Sequence, residues 1–121
     1  MPQLTVNLMG AFQAALDGAV LSGFDSDKTR ALLAYLAIEA DRAHRRESLV
    51  ALFWPNVQEA SARQSLSQAL SNLRRLLADV KSDTPFILAT REIVQFNRQS
   101  DYKLDVDTLQ RAPERFRDFG I

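Results

Sequence analysis

Polar side chains recur along residues 60–79, ASARQSLSQALSNLRRLLAD, at spacings of three and four: Gln64, Ser67, Gln68, Ser71, Asn72 and Arg75. A helix brings such a set onto one side. Nearly all of them are neutral donors and acceptors, in place of the Glu and Lys that ordinarily solvate an exposed helix. Their chemistry is that of base recognition. The amide of Asn or Gln pairs with adenine, a guanidinium with guanine, and a hydroxyl with several partners. A solvent face built from small polar residues has the same composition, so the helix alone leaves both readings open. The other side is unambiguous: Leu66, Ala69, Leu70, Leu73 and Leu77 form one apolar stripe that must be buried.

Catalytic and metal chemistry find little to use. With no cysteine and a single histidine, His44, there are no thiolate sites and no His pair for zinc or iron. A Gly-rich phosphate loop and a nucleophile with a plausible base are also missing from the chain, so no enzyme, metal or cofactor is expected. His44 reads as a loop histidine that caps a helix or touches a phosphate.

Charge is informative through its distribution. Fifteen basic and fifteen acidic residues cancel over the 121 positions, which argues against binding through bulk charge. Between residues 42 and 75, however, six arginines (Arg42, Arg45, Arg46, Arg63, Arg74 and Arg75) face only Glu47 and Glu59, a local excess of four positive charges. The first 27 residues hold Asp17, Asp25 and Asp27 and no cation. One end of the molecule is therefore expected to be positive, and arginine is the cation that forks onto phosphate and guanine.

The elements that must position these groups follow from periodicity. Leu4, Val6 and Leu8 alternate with polar residues as in a half-buried strand. Phe12, Ala14 and Leu16 continue as a second strand up to Asp17-Gly18, a strong hairpin signal, after which Val20 and Leu21 return antiparallel. Ser26 is the expected N-cap of a helix over residues 27–40 that is apolar nearly all round and hence central. A shorter helix, residues 47–53, directs Leu49, Leu52 and Phe53 inward and ends where Pro55 disfavours helical geometry at Trp54. Trp54 reads as a plug at the end of that helix or as an exposed anchor. Residues 86–89 and 93–96 form a hairpin, with Phe86, Leu88 and Ile93 locking it to the long helix and Thr90-Arg91-Glu92 at its tip. Arg91 is either solvated or inserted in a minor groove. With no apolar run near the length of a membrane span and no signal-peptide pattern, a cytoplasmic protein without membrane contact is expected.

The fold class is thus α+β: an N-terminal antiparallel sheet, three helices and a C-terminal β-hairpin, the layout of a winged helix-turn-helix. The runs FDSDKTRALLAYLAIEADRAHRRESLVALFWP, ARQSLSQALSNLRRLL, PFILATREIVQFN and SDYKLDVDTL carry a family likeness. The chain resembles the N-terminal part of bacterial transcriptional activators of the antibiotic-regulatory-protein type. These begin with a winged-helix DNA-binding domain of the OmpR/PhoB kind. The likeness covers nearly everything from Leu4 to Leu109.

That resemblance implies a sequence-specific binder of double-stranded DNA that regulates, and activates, transcription. Residues 60–77 would be its recognition helix, with Gln64, Ser67, Gln68, Ser71 and Arg75 toward bases and Arg45, Arg46, Arg63 and Arg74 toward phosphates. Residues 86–96 would be the wing, carrying Arg91. Asn56, Val57 and Gln58 would lie where such domains contact RNA polymerase, and a tandem dimer on direct repeats is the implied assembly. The alternative is a winged helix used for protein contacts without DNA. Residues 1–99 are expected to form the winged-helix domain. Residues 100–121 resemble the opening of a bacterial transcriptional activator domain, shortened relative to the family and interrupted by Pro113, which costs about 3 kcal/mol inside a helix. With so little of a second domain to pack against, that tail is expected to be loose.

Overall fold

At the first turn, Asp17 (φ 52°) and Gly18 (φ 84°) occupy the left-handed region in succession, as a two-residue hairpin linking right-twisted strands requires. They join β2 (Gln13–Leu16) to β3 (Ala19–Val20), while β1 (Gln3–Asn7) pairs with the other side of β2. The Asp17 carboxylate also accepts from the Gln3 backbone at 2.8 Å, tying the turn to the start of β1. These relations come from a computed structural model that describes residues 2–79 and 82–105.

Helix α1 (Asp27–Ile38) starts where expected, with Ser26 Oγ accepting from the Thr29 N–H at 3.2 Å. Ala31, Leu32, Leu33, Ala34, Leu36 and Ala37 are all buried, so α1 runs through the middle of the core. Helix α2 (Arg46–Phe53) ends at Trp54, which has left the helical region (φ −130°, ψ 57°) ahead of Pro55, a residue that disfavours helical geometry before it. Leu49, Val50 and Phe53 face the core, but Leu52 is 39% exposed, contrary to expectation. The buried three span roughly 100° of the helix, and Leu52 falls just outside that arc. Helix α3 (Glu59–Leu76) buries Leu66, Ala69, Leu70 and Leu73, and Leu77 at its C-cap is buried too, which completes the expected stripe; Ala62 extends it toward the N-terminus.

Strands β5 (Ile87–Ala89) and β6 (Ile93–Phe96) form the expected hairpin, with a third strand, β4 (His44–Arg45), pairing with β6. Two polar residues carry no alternation, so β4 is invisible to periodicity. The hairpin's phase is the reverse of the one expected for Leu88 and Ile93. Ile87, Val94 and Phe96 are buried on one face, whereas Leu88 and Ile93 are 45% and 38% exposed on the other. Register explains it: Ile87 lies opposite Phe96 and Ala89 opposite Val94, which puts Leu88 and its partner Gln95 outside. Phe86, just before β5, is buried as expected.

The chain then returns to its beginning. Strand β7 (Asp101–Leu104) lies parallel to β1, giving a mixed sheet of order β3-β2-β1-β7. The Asp105 carboxylate accepts from the Leu8 N–H at 2.8 Å and the Met9 N–H at 2.8 Å, and the Tyr102 ring meets Phe96 edge-on at 4.6 Å. Through residue 105 the tail is thus packed, not loose, because β1 offers an unpaired edge to it. The expected interruption at Pro113 lies outside the described residues. Sheet, three helices and hairpin succeed one another in the order of a winged helix-turn-helix.

Candidate nucleic-acid interface

The outer face of α3 is built by subtraction. Once Leu66, Ala69, Leu70 and Leu73 are fixed in the core, Gln64, Ser67, Gln68, Ser71 and Arg75 must project the other way, and all five are exposed. Together with Asp25 and Asn72 they line a shallow hollow of about 370 Å³. Its rim presents amide, hydroxyl and guanidinium groups and no large apolar side chain.

Asn72 behaves differently from its neighbours. It is 1% exposed, accepts from the Asp25 N–H at 2.9 Å and donates to the Gly23 carbonyl at 3.0 Å. Its amide therefore clamps the chain that leads into α1, and at 1% exposure it is not presented to a base. Gly23 (φ +91°) passes close to α3, where an added Cβ would stand 3.4 Å from Leu76 Cδ2. A helical wheel puts Asn72 on the polar side, and only the crossing loop turns it into a structural residue.

A second hollow, of about 290 Å³, lies beside the first turns of α2 and α3 and the wing tip, lined by Arg45, Glu47, Arg63, Arg91 and Glu92. Three arginines from separate elements converge there. Arg63 meets Glu59 at 3.1 Å and Arg45 meets Glu47 at 3.5 Å, both in solvent-exposed pairs. Such pairs contribute little to stability and exchange readily for a phosphate.

Arg46 has a bracing role: its Nε donates to the Thr90 carbonyl at 2.8 Å and its backbone N–H to the Glu92 carbonyl at 2.9 Å. Those bonds and the Thr90 hydroxyl, which accepts from the Ile93 N–H at 3.1 Å, shape a wing tip that contains neither Gly nor Asn. Arg91 is left exposed at the apex.

Arg74 stands apart from that cluster. It is half-buried, its Nε is buried without a hydrogen-bond partner, and its charge acts on the Asp79 carboxylate at the far end of α3. Its half-buried position, with Nε shielded from solvent, is less open than the phosphate role expected of it would favour. Asp79 is itself pushed up from the ordinary carboxylate range by burial, against the opposing pull of the Phe86 and Ile87 N–H groups and of Arg74.

His44 is buried, with Nε2 3.0 Å from the Glu39 carbonyl and its ring 5.1 Å from that of Tyr35. Of its two expected roles it takes the helix cap, at the end of α1. Trp54 is half-buried against Phe53, and the Lys28 ammonium lies 5.6 Å from the Trp54 ring centre while also donating to the Phe53 carbonyl. Asn56, Val57 and Gln58 are exposed beside it, with Val57 and Trp54 lining a neighbouring hollow of about 300 Å³. Among the described residues no three His, Asp or Glu side chains converge as metal ligands, and no helix is long and apolar enough to cross a membrane.

Comparison with known proteins bears on the same elements. Residues 26–93 match the family described as transcriptional regulatory protein, C terminal. The transcriptional regulatory protein EmbR of Mycobacterium bovis and that of Mycobacterium tuberculosis are each 35% identical over 88 residues, covering 72% of this chain. The chain spans only 22% of the length of those relatives. A solved structure of Mycobacterium tuberculosis EmbR in complex with a low-affinity phosphopeptide superposes with a TM-score of 0.66 at 28% identity, over 80% of this chain and 26% of that one.

Proposed function

Because this chain belongs to the OmpR/PhoB-type winged-helix family of transcriptional regulators, we propose that it binds double-stranded DNA sequence-specifically and activates transcription in the cytoplasm. Helix α3 lies in the major groove, where Gln64, Ser67, Gln68, Ser71 and Arg75 face base edges. Arg45, Arg46 and Arg63 take phosphates beside the groove, and Arg91 reaches from the wing toward the adjacent minor groove. The observation that carries this reading is a largely neutral hydrogen-bonding face of α3 together with a hollow in which Arg45, Arg63 and Arg91 outnumber Glu47 and Glu92. A phosphate backbone rewards the second and base edges the first, which a surface for apolar protein contact would not need.

The exposed turn of residues 56–58 is the proposed contact for RNA polymerase, and two copies on direct repeats are the proposed assembly. The winged-helix unit is proposed to extend beyond residue 99 to include β7, with residues 106–121 opening a further domain.

A retardation assay on mixed duplex at several salt concentrations tests the DNA reading. Each phosphate neutralised takes roughly 0.9 from the slope of log affinity against log salt, so the three phosphate-bound arginines give a slope of about −3. A flat salt dependence with retained binding to a protein partner supports the alternative, a winged helix used for protein contacts alone.

A further inference from the structure

The buried carboxylate of Asp79 is unused by the DNA-contact scheme above, yet it is among the most fully paired side chains in the molecule. It is 3% exposed, with Oδ1 accepting from the Phe86 N–H at 2.8 Å and Oδ2 from the Ile87 N–H at 2.9 Å. Asp79 closes α3: its own N–H donates to the Arg74 carbonyl at 2.9 Å, and the Ala78 N–H donates to the Arg75 carbonyl at 3.2 Å. Phe86 and Ile87 open the wing, since Ile87 is the first residue of β5 and Phe86 is buried beside it. One side chain therefore bonds the last turn of the recognition helix directly to the first strand of the wing.

We propose that Asp79 is a positioning residue that sets the phase between the reading face of α3 and the tip of the wing. Both of its oxygens are engaged by adjacent backbone N–H groups of one strand, so the bracket fixes distance and rotation together, as a single hydrogen bond could not. Three further contacts keep it rigid. Asn97 donates from its backbone to the Phe86 carbonyl at 2.8 Å and from its side chain to the Pro85 carbonyl at 2.9 Å, holding the same strand from its other side. The Phe86 and Phe96 rings pack at 6.3 Å beneath. Helix and wing then approach the duplex as one body, and the register of Arg91 relative to Gln68 and Ser71 is set before DNA is met. This inference rests on the DNA-binding reading for its consequence and on the free protein for its geometry.

The test separates the two. The chain contains no cysteine, so Gln68→Cys and Glu92→Cys place a unique spin-label pair on the reading face and the wing tip of the full chain. The pair should give one narrow distance distribution in free protein, broadened about twofold by Asp79→Asn, which turns one acceptor oxygen into an amide facing an N–H. Leu70→Ala, which weakens the core without touching the bracket, should leave the width unchanged. On unlabelled protein, Asp79→Asn should bring the preference for A·T-rich over G·C-rich flanks close to one while the ranking of core sites is kept. An unchanged distance distribution, or equal broadening by Leu70→Ala, overturns the positioning role. Broadening with the flank preference intact overturns the link between bracket and readout and counts against the wing as a reader, while leaving groove binding by α3 in place.

Discussion

Replacing Asn72 with alanine distinguishes a base reader from a loop clamp more sharply than any other change on α3. The side chain is 1% exposed and makes two amide bonds, to the Asp25 N–H and the Gly23 carbonyl. Each such bond is worth about 0.5–1.5 kcal/mol net, and a buried group left unpaired costs about 1–3 kcal/mol. Gly23 and Asp25 are themselves exposed, so water can reach part of the vacated site and hold the loss near the lower end of that range. A destabilisation of about 2 kcal/mol follows, or roughly 8–16 °C in Tm for a domain of this size. Urea denaturation followed by tryptophan fluorescence measures it, since the one tryptophan, Trp54, is half-buried in the core's edge. Below the transition, the ranking of DNA sites should be unaltered, because the Asn72 side chain is buried. A stability change under about 0.5 kcal/mol combined with a new base preference would refute the clamp.

The reading face itself predicts the opposite pattern: Gln68→Ala or Ser71→Ala should alter which sequence is preferred by about 1–3 kcal/mol per well-formed base contact, measured by competition between duplexes, with Tm nearly constant. Equal losses on all duplexes would show that α3 is rotated in the groove. Ala78, just past the C-cap of α3, holds a left-handed φ of 56°, a conformation costing an L-residue about 1–2 kcal/mol. Ala78→Gly relieves that cost and gives back about 0.4–1 kcal/mol through the unfolded chain, so a net gain of about 0.5–1 kcal/mol is expected in denaturant titration. At the exposed turn after α2, Val57→Ala or Gln58→Ala should lower transcription from a reporter while DNA affinity stays the same; parallel loss of both would remove the polymerase contact.

What could be read from the sequence, and what could not, follows from how local the determining forces are. The Ser26 cap, the Asp17-Gly18 turn, the stop before Pro55 and the leucine stripe of α3 are each set within a few residues, and each stands where periodicity and capping chemistry put it. The misplaced features depend on partners far along the chain. Leu88 and Ile93 are apolar and so read as inward, but the phase of a hairpin is set by register against Phe96 and Val94, not by the composition of one strand. Strand β4 exists because β6 has an edge to offer His44 and Arg45, and β7 because β1 offers one to residues 101–104.

The same distinction separates the two kinds of polar residue on α3, and it has a consequence for reading such helices in general. Gln64, Ser67, Gln68, Ser71 and Arg75 remain exposed among the described residues, as the position of the apolar stripe already implies. Asn72 and Asp79 are equally polar, but the loop before α1 bonds to the first and the start of the wing to the second, so they become a clamp and a bracket, while Arg74 is left as a half-buried charge. Polar residues on the flanks of a recognition helix are therefore those whose role depends on tertiary structure, since a flank is where neighbouring segments must pass. Substituting the central set should change sequence preference at nearly constant stability, while substituting the flank set should change stability or geometry first and preference only through it.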